Sequence, residues 1–216
     1  VGQQGDGVDD ADKDKSHNLG VKPDLVIVKN RSTDSTLWRI WHQSLGTHGT
    51  YLINNIRPSV PNAETFYSDQ IRALDSSDVT VRSADSTNGS VNKDGDNYIG
   101  YVFSDVDAFS KTGLYEGTGN ASGPFTYTGF KPAWVLLKSS SLDENWYIYD
   151  HKRNTVNIMD LEINPSTDQG DGTFAVIDFL SNGFKIRSTN SAVNTNGASY
   201  IYWAIAETPF KYANAR

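Results

Sequence analysis

Leu19-Gly20-Val21-Lys22-Pro23-Asp24-Leu25-Val26-Ile27-Val28-Lys29 has a second version in the same chain. Thr128-Gly129-Phe130-Lys131-Pro132-Ala133-Trp134-Val135-Leu136-Leu137-Lys138 aligns with it without a gap, 109 positions later. In both, the proline fixes its own φ and drives the lysine before it into extended backbone, so the following strand has a defined start. A proline at the first residue of a strand forfeits no ladder hydrogen bond. Side chains alternate along a strand, which puts Leu25, Ile27 and Lys29 on one face and Val26 and Val28 on the other. A strand apolar on both faces is expected at the centre of a sheet, covered on both sides.

The echo continues along the chain. Trp38-Arg39-Ile40-Trp41 is answered by Trp146-Tyr147-Ile148-Tyr149, and Leu74 to Arg82 by Phe179 to Arg187. Asn97-Tyr98-Ile99-Gly100-Tyr101 is answered by Ser199-Tyr200-Ile201-Tyr202-Trp203, now 102 positions on. The offset shrinks gradually, so the differences belong to loops. The expected fold is all-β, an antiparallel β-sandwich of jelly-roll or concanavalin-like type, in two tandem homologous repeats covering residues 1–112 and 113–216. A period this long exceeds the roughly 20–50 residues of a solenoid repeat, so each copy is expected to be a sheet structure in its own right.

Composition agrees. The chain has 18 Gly, 11 Tyr, 9 Phe, 5 Trp and one Met in 216 residues, the mixture of half-buried strands joined by polar turns. It contains no cysteine, which removes disulfides, thiolate metal sites and thiol nucleophiles together. The formal net charge of −7 argues against gripping a phosphate backbone, so nucleic acid is not expected as a partner. No apolar run approaches the roughly 18 residues that cross a bilayer as a helix, and membrane insertion is not expected. Val1 to Gly7 has neither a basic start nor an apolar stretch nor an initiator methionine, and reads as the beginning of an excised piece.

The motifs together resemble a repeated domain of tailed-phage virion proteins, of the kind found in marine and cyanobacterial phages and usually described as tail-fibre-like or of unknown function. The residues that carry the resemblance are Gly-x-Lys-Pro with its strand and lysine, Trp146 to Asp150, Ser181-Asn182-Gly183-Phe184, Tyr200 to Glu207 and the terminal Pro209 to Arg216. It implies a virion-surface (extracellular) β-sandwich associated with other virion proteins as a homo-oligomer, and it implies no catalytic residues. The first copy departs from the pattern at Asp78, where the second has Gly183.

The residues themselves suggest little catalysis. No Gly-x-Ser-x-Gly elbow, phosphate-binding Gly-rich loop or His-Glu-x-x-His pair is present, and no enzyme activity, cofactor or metal is expected. His17, His42, His48 and His151 read as polar loop and strand-end residues. Glu144, Asp150, Asp160, Glu162 and Asp178 supply carboxylates from which a sandwich glycosidase would need a facing pair, but a solvated strand face explains them as well. Asp6, Asp9, Asp10, Asp12 and Asp14, and Asn92 to Asn97, have the hard oxygens that suit Ca²⁺. Their interleaved lysines and Asp-Gly turns read more simply as surface and hairpin chemistry.

Aromatic residues give the functional expectation. A pyranose stacks its apolar face on an aromatic ring while polar side chains bond its hydroxyls. The candidate ligand-binding residues are Arg39 and Trp41 in the first copy and Tyr147 and Tyr149 in the second, which share a strand face; the alternative is that these rings fill the core. Two functions follow: a tail-fibre or similar module that recognises a host-surface glycan or protein, or a structural virion component, a capsid decoration or tail connector without a ligand. A cellular carbohydrate-binding module is a third.

Overall fold

The computed structural model describes residues 2–4, 12–34, 36, 38–45, 51–54, 64–66, 71–82, 91–167, 170–173 and 175–209. They form two compact units that divide between Ser104 and Asp105. In the first unit the strands are β1 (Gly2–Gln4), β2 (Asp12–Ser16), β3 (Leu25–Asn30), β4 (Arg39–His42), β5 (Tyr51–Asn54), β6 (Glu64–Phe66), β7 (Ile71–Leu74), β8 (Asp78–Arg82) and β9 (Asn97–Phe103). The second has β10 (Ser110–Glu116), β11 (Phe125–Tyr127), β12 (Pro132–Ser139), β13 (Trp146–Asp150), β14 (Glu162–Ile163), β15 (Ile177–Leu180), β16 (Gly183–Ile186), the short helix α1 (Ser191–Asn194) and β17 (Ser199–Ala206). The expected boundary at Thr112 lies inside β10, which pairs along its length with β17.

Each unit is an antiparallel sandwich. In the first, a large sheet ordered β1-β9-β3-β4-β5-β6 faces a small sheet ordered β2-β8-β7; in the second, β10-β17-β12-β13-β14 faces β11-β16-β15. In each large sheet the last strand of the unit, β9 or β17, lies between the first and the third. The Gly-x-Lys-Pro strands β3 and β12 are interior, with partners on both edges. Leu25 and Val26 on opposite faces of β3, and Val135 and Leu136 on opposite faces of β12, are all buried. The glycines that open these segments, Gly20 and Gly129, have φ of 72° and 86°, where a side chain would be strained.

One core lies between the two sheets of each unit. Val26, Val28, Trp41 and Tyr98 from the large sheet meet Ile71, Val79 and Val81 from the small one in the first unit. In the second, Val135, Leu137, Tyr147, Tyr149, Tyr200 and Tyr202 meet Ile177, Phe179, Phe184 and Ile186. Tyr115 stacks on Tyr200 at 5.0 Å between ring centres, and Phe184 meets Tyr202 edge-on at 5.2 Å, the geometries that aromatic quadrupoles favour.

Two anchoring devices occur in both units. The Tyr98 hydroxyl accepts from the backbone N–H of Lys93, and the Tyr200 hydroxyl accepts from that of Thr195, five residues upstream in each case. At the ends of β3 and β12, Lys29 donates to the Thr36 carbonyl and Lys138 to the carbonyls of Ser139 and Leu142. The lysine that closes each strand thus ties down the loop leading to the next.

Candidate functional site

The sequence placed Arg39 and Trp41 on one strand face and Tyr147 and Tyr149 on its counterpart. In register, Trp41 lies opposite Val26 and Arg39 opposite Val28; Tyr149 lies opposite Val135 and Tyr147 opposite Leu137. That face is the inner one. All four residues are buried, Tyr149 completely, so none offers an open ring on which a pyranose could stack from solvent. The expectation of an exposed platform at these positions gives way to the core reading, because the neighbouring valines and Leu137 draw that face inward. Trp41 has a further contact, with the Lys22 ammonium 5.8 Å from its ring centre.

Tyr147 has a second role. A concavity of about 240 Å³ is lined by Asn145, Tyr147, Glu162, Asn164, Gly170, Gly172 and Thr173. Asn145 ends the loop held by Lys138, Tyr147 belongs to β13, and Glu162 stands on the edge strand β14. The Glu162 side chain is fixed from behind: its Oε2 accepts from the Ala175 N–H at 3.0 Å and from the Tyr149 hydroxyl at 3.3 Å. Backbone bonds run both ways between Glu162 and Gly172, at 3.1 and 2.9 Å. A Cβ on Gly172 would come within 2.8 Å of Glu162 Oε1, so glycine is what makes room for the carboxylate. Asn164 Oδ1 accepts from the Ser166 N–H.

The electrostatics of this corner are acidic. Burial, then Glu144 and Glu162, push the Tyr147 phenol up to about 12 against the opposing hydrogen bond from Asn145; it remains a neutral phenol near neutral pH. Tyr149 is raised well above the usual range by burial and by Glu162. Burial pulls the Lys138 ammonium down to about 8, with Asp143 and Glu144 acting the other way.

A second feature lies on the small sheet of the same unit. Along β11, Thr126 points inward while Phe125 and Tyr127 point out, and Tyr127 is 65% exposed. Their cross-strand partners are Lys185 and Gly183, followed on β15 by Asp178 and Leu180. Arg187 approaches Asp178 at 3.6 Å. Beyond β15 the Asn157 side chain exchanges two bonds with the Phe179 backbone and Met159 pairs with Ile177; Ile158, between them, is exposed. The result is a partly apolar face with two exposed rings and both signs of charge.

The matching face of the first unit is different. There Asp12 bonds Arg82, Asp14 bonds Thr80 and Ser16 bonds Asp78, three polar pairs directly across β2 and β8. Asp12 and Asp14 are therefore strand residues with partners across the sheet; Asp6, Asp9 and Asp10 lie outside the described residues. In the second calcium-like stretch, burial would raise the Asp96 carboxyl, but bonds from Asn30 and Thr33 and the Lys93 ammonium outweigh it and lower the pKa. Among the described residues no group of three or more His, Asp or Glu is arranged to hold a metal.

The remaining candidates have local duties. His17 and His42 are buried and accept from backbone N–H groups of Leu19 and Ser44, and His151 bonds the Ala133 carbonyl; His48 lies outside the described residues. Asp150 accepts from Lys152 and Arg153, and Asp160 from Asn154. Of the carboxylates named from the sequence, Glu162 alone is among the described residues lining the concavity. Among the described residues no helix is long and apolar enough to cross a membrane.

Sequence reasoning missed Phe125 and Tyr127, and the joining of Asn145, Tyr147, Glu162 and Asn164. The first had a signal, an aromatic-polar-aromatic alternation between Pro124 and Gly129; the second had none, since its parts come from separate segments.

Fold and site define an all-β protein of two sandwich units, with a polar concavity and an exposed aromatic face on the second. The chain belongs to a family described as a domain of unknown function (DUF7483), whose sequence model matches residues 4–209. That span runs through both units. No curated protein and no solved structure matches the chain.

Proposed function

We propose that the chain is a non-enzymatic recognition module on a virion surface, in a tail fibre or similar appendage, that contacts a host-surface glycan. Its two units descend from one by duplication; the first serves as scaffold and the second carries the contact surface. The observation that carries this reading is the contrast between equivalent faces: Asp12, Asp14 and Ser16 are paired across the sheet in the first unit, whereas Phe125 and Tyr127 stand exposed in the second. Exposed rings beside Lys185, Asp178 and Arg187 match a saccharide, which has apolar ring faces and hydroxyl edges. Common strand order and the paired roles of Tyr98 and Tyr200 support the duplication. The virion setting, with other virion proteins and further copies of this chain as neighbours, rests on the sequence resemblance.

The test is binding of the purified chain to bacterial surface polysaccharides and intact host cells, with Tyr127→Ala alongside. Saturable binding that the variant loses, at an unchanged melting temperature, is expected. A folded chain that binds none of them would overturn the reading in favour of a structural virion component.

A further inference from the structure

We infer that the concavity between β13, β14 and the Gly170–Thr173 segment is a binding site for one uncharged or amino-substituted hexose ring, the terminal residue of the glycan; this rests on the recognition reading above. Its size comes first. About 240 Å³ is below the ~300–1,000 Å³ of pockets that enclose drug-sized ligands, so it suits a single small ring rather than a chain.

Chemistry narrows the ligand. Asn145 and Asn164 each carry an amide that can donate and accept, Thr173 a hydroxyl that does both, and Glu162 a carboxylate that accepts. Tyr147 forms part of the wall but is almost wholly buried, so polar groups, not a stacking ring, carry the recognition. The Asn164 oxygen is engaged by Ser166, while its amide nitrogen has no bond among the described residues. This set matches ring hydroxyls, which need acceptors and donors in alternation. Glu162 is 3% exposed and held by Tyr149, Ala175 and the space left at Gly172, so its orientation is set before any ligand arrives, which reduces the cost of ordering on binding.

Charge decides between sugar classes. Of the described residues lining the concavity none is basic, and Glu144 and Glu162 both act on Tyr147. A uronate, sialate or phosphorylated sugar would meet like charge without a cation to receive it, whereas a neutral hydroxyl or an ammonium at one ring position would meet the carboxylate favourably.

The experiment titrates the whole chain with methyl glycosides: neutral hexosides, 2-amino-2-deoxyhexosides and hexuronides, read by calorimetry and ligand-observed NMR. Saturable binding of a neutral or amino hexoside is expected, with the hexuronide at least ~10-fold weaker, and Asn164→Ala should weaken binding by roughly tenfold. Thr173→Val, at an exposed rim position, is the second variant, and melting curves confirm that both remain folded. Absence of binding by every neutral and amino hexoside, preference for the hexuronide, or binding unchanged in both variants would overturn the inference. If the polysaccharide still binds these variants fully but not Tyr127→Ala, recognition stands and the pocket assignment falls. Absence of polysaccharide binding by the parent chain removes the recognition reading instead.

Discussion

Tyr149→Ala is the sharpest test of the core. The ring is completely buried, it packs with Val135, Ile177 and their neighbours in the second unit, and its hydroxyl bonds Glu162. Removing a buried aromatic ring costs about 3–5 kcal/mol, and a carboxylate that has lost one of its donors adds to it. For a unit the size of the second one, which begins at Asp105, each kcal/mol moves the melting temperature by roughly 4 °C, so a loss of about 4 kcal/mol corresponds to a fall of about 16 °C in the melting of that unit. Tyr149→Phe separates the two contributions: it keeps the ring, removes only the 3.3 Å bond, and is expected to cost about 1 kcal/mol. Thermal and urea melts followed by tryptophan fluorescence measure both. An alanine variant within about 1 kcal/mol of the parent would refute the core placement of this ring and restore the solvent-facing platform.

Other expectations are independent of that one. Because burial lowers the folded-state pKa of Lys138 from 10.5 to about 8, the unfolded chain binds more protons between those values and stability from this group rises with pH across that window. The stability of the parent minus that of Lys138→Met should therefore increase from pH 8 towards pH 10; a flat difference in urea melts would contradict it, and subtraction cancels the opposing tyrosine ionisations. Gly183→Ala brings a Cβ within 2.1 Å of the Thr126 carbonyl oxygen, and should cost about 1–3 kcal/mol, since it acts by forcing β11 from β16; unaltered hydrogen-exchange protection on β11 would speak against it. Tyr98→Phe and Tyr200→Phe each strip the acceptor from a backbone N–H, at Lys93 and Thr195. Losses of about 1–3 kcal/mol in both are expected, and an effect in one alone would show that the two corners do not share a function.

The Gly-x-Lys-Pro strands were legible as interior strands, because Leu25-Val26-Ile27-Val28 and Trp134-Val135-Leu136-Leu137 are apolar on both faces and neither could stand at an exposed edge. Alternation also told correctly that Arg39 shares a face with Trp41, and Tyr147 with Tyr149. It could not tell which face meets the core, since a period of two is silent about direction until a neighbouring strand is known. The partners Val26, Val28, Val135 and Leu137 supply that direction. β11 escaped notice because three residues carry too little pattern to stand out. The concavity was illegible for a different reason: Asn145, Glu162 and Gly172 meet only through the β13–β14 pairing and the backbone bridge between Glu162 and Gly172.

The position of β9 and β17 has a consequence for how the chain comes into being. Each is the last of the described strands of its unit to be synthesised, yet each occupies an inner row of its large sheet, flanked by strands made long before. Until Ser199 to Ala206 leaves the ribosome, β12 presents an open hydrogen-bonding edge beside strongly apolar side chains, the arrangement that invites pairing with a stranger. A nascent chain stopped at α1 would hold a gap in the middle of its sheet, so closure of the unit depends on contacts between residues far apart in sequence. Such topologies fold slowly, and truncation upstream of β17 is expected to yield an aggregating chain rather than a smaller sandwich.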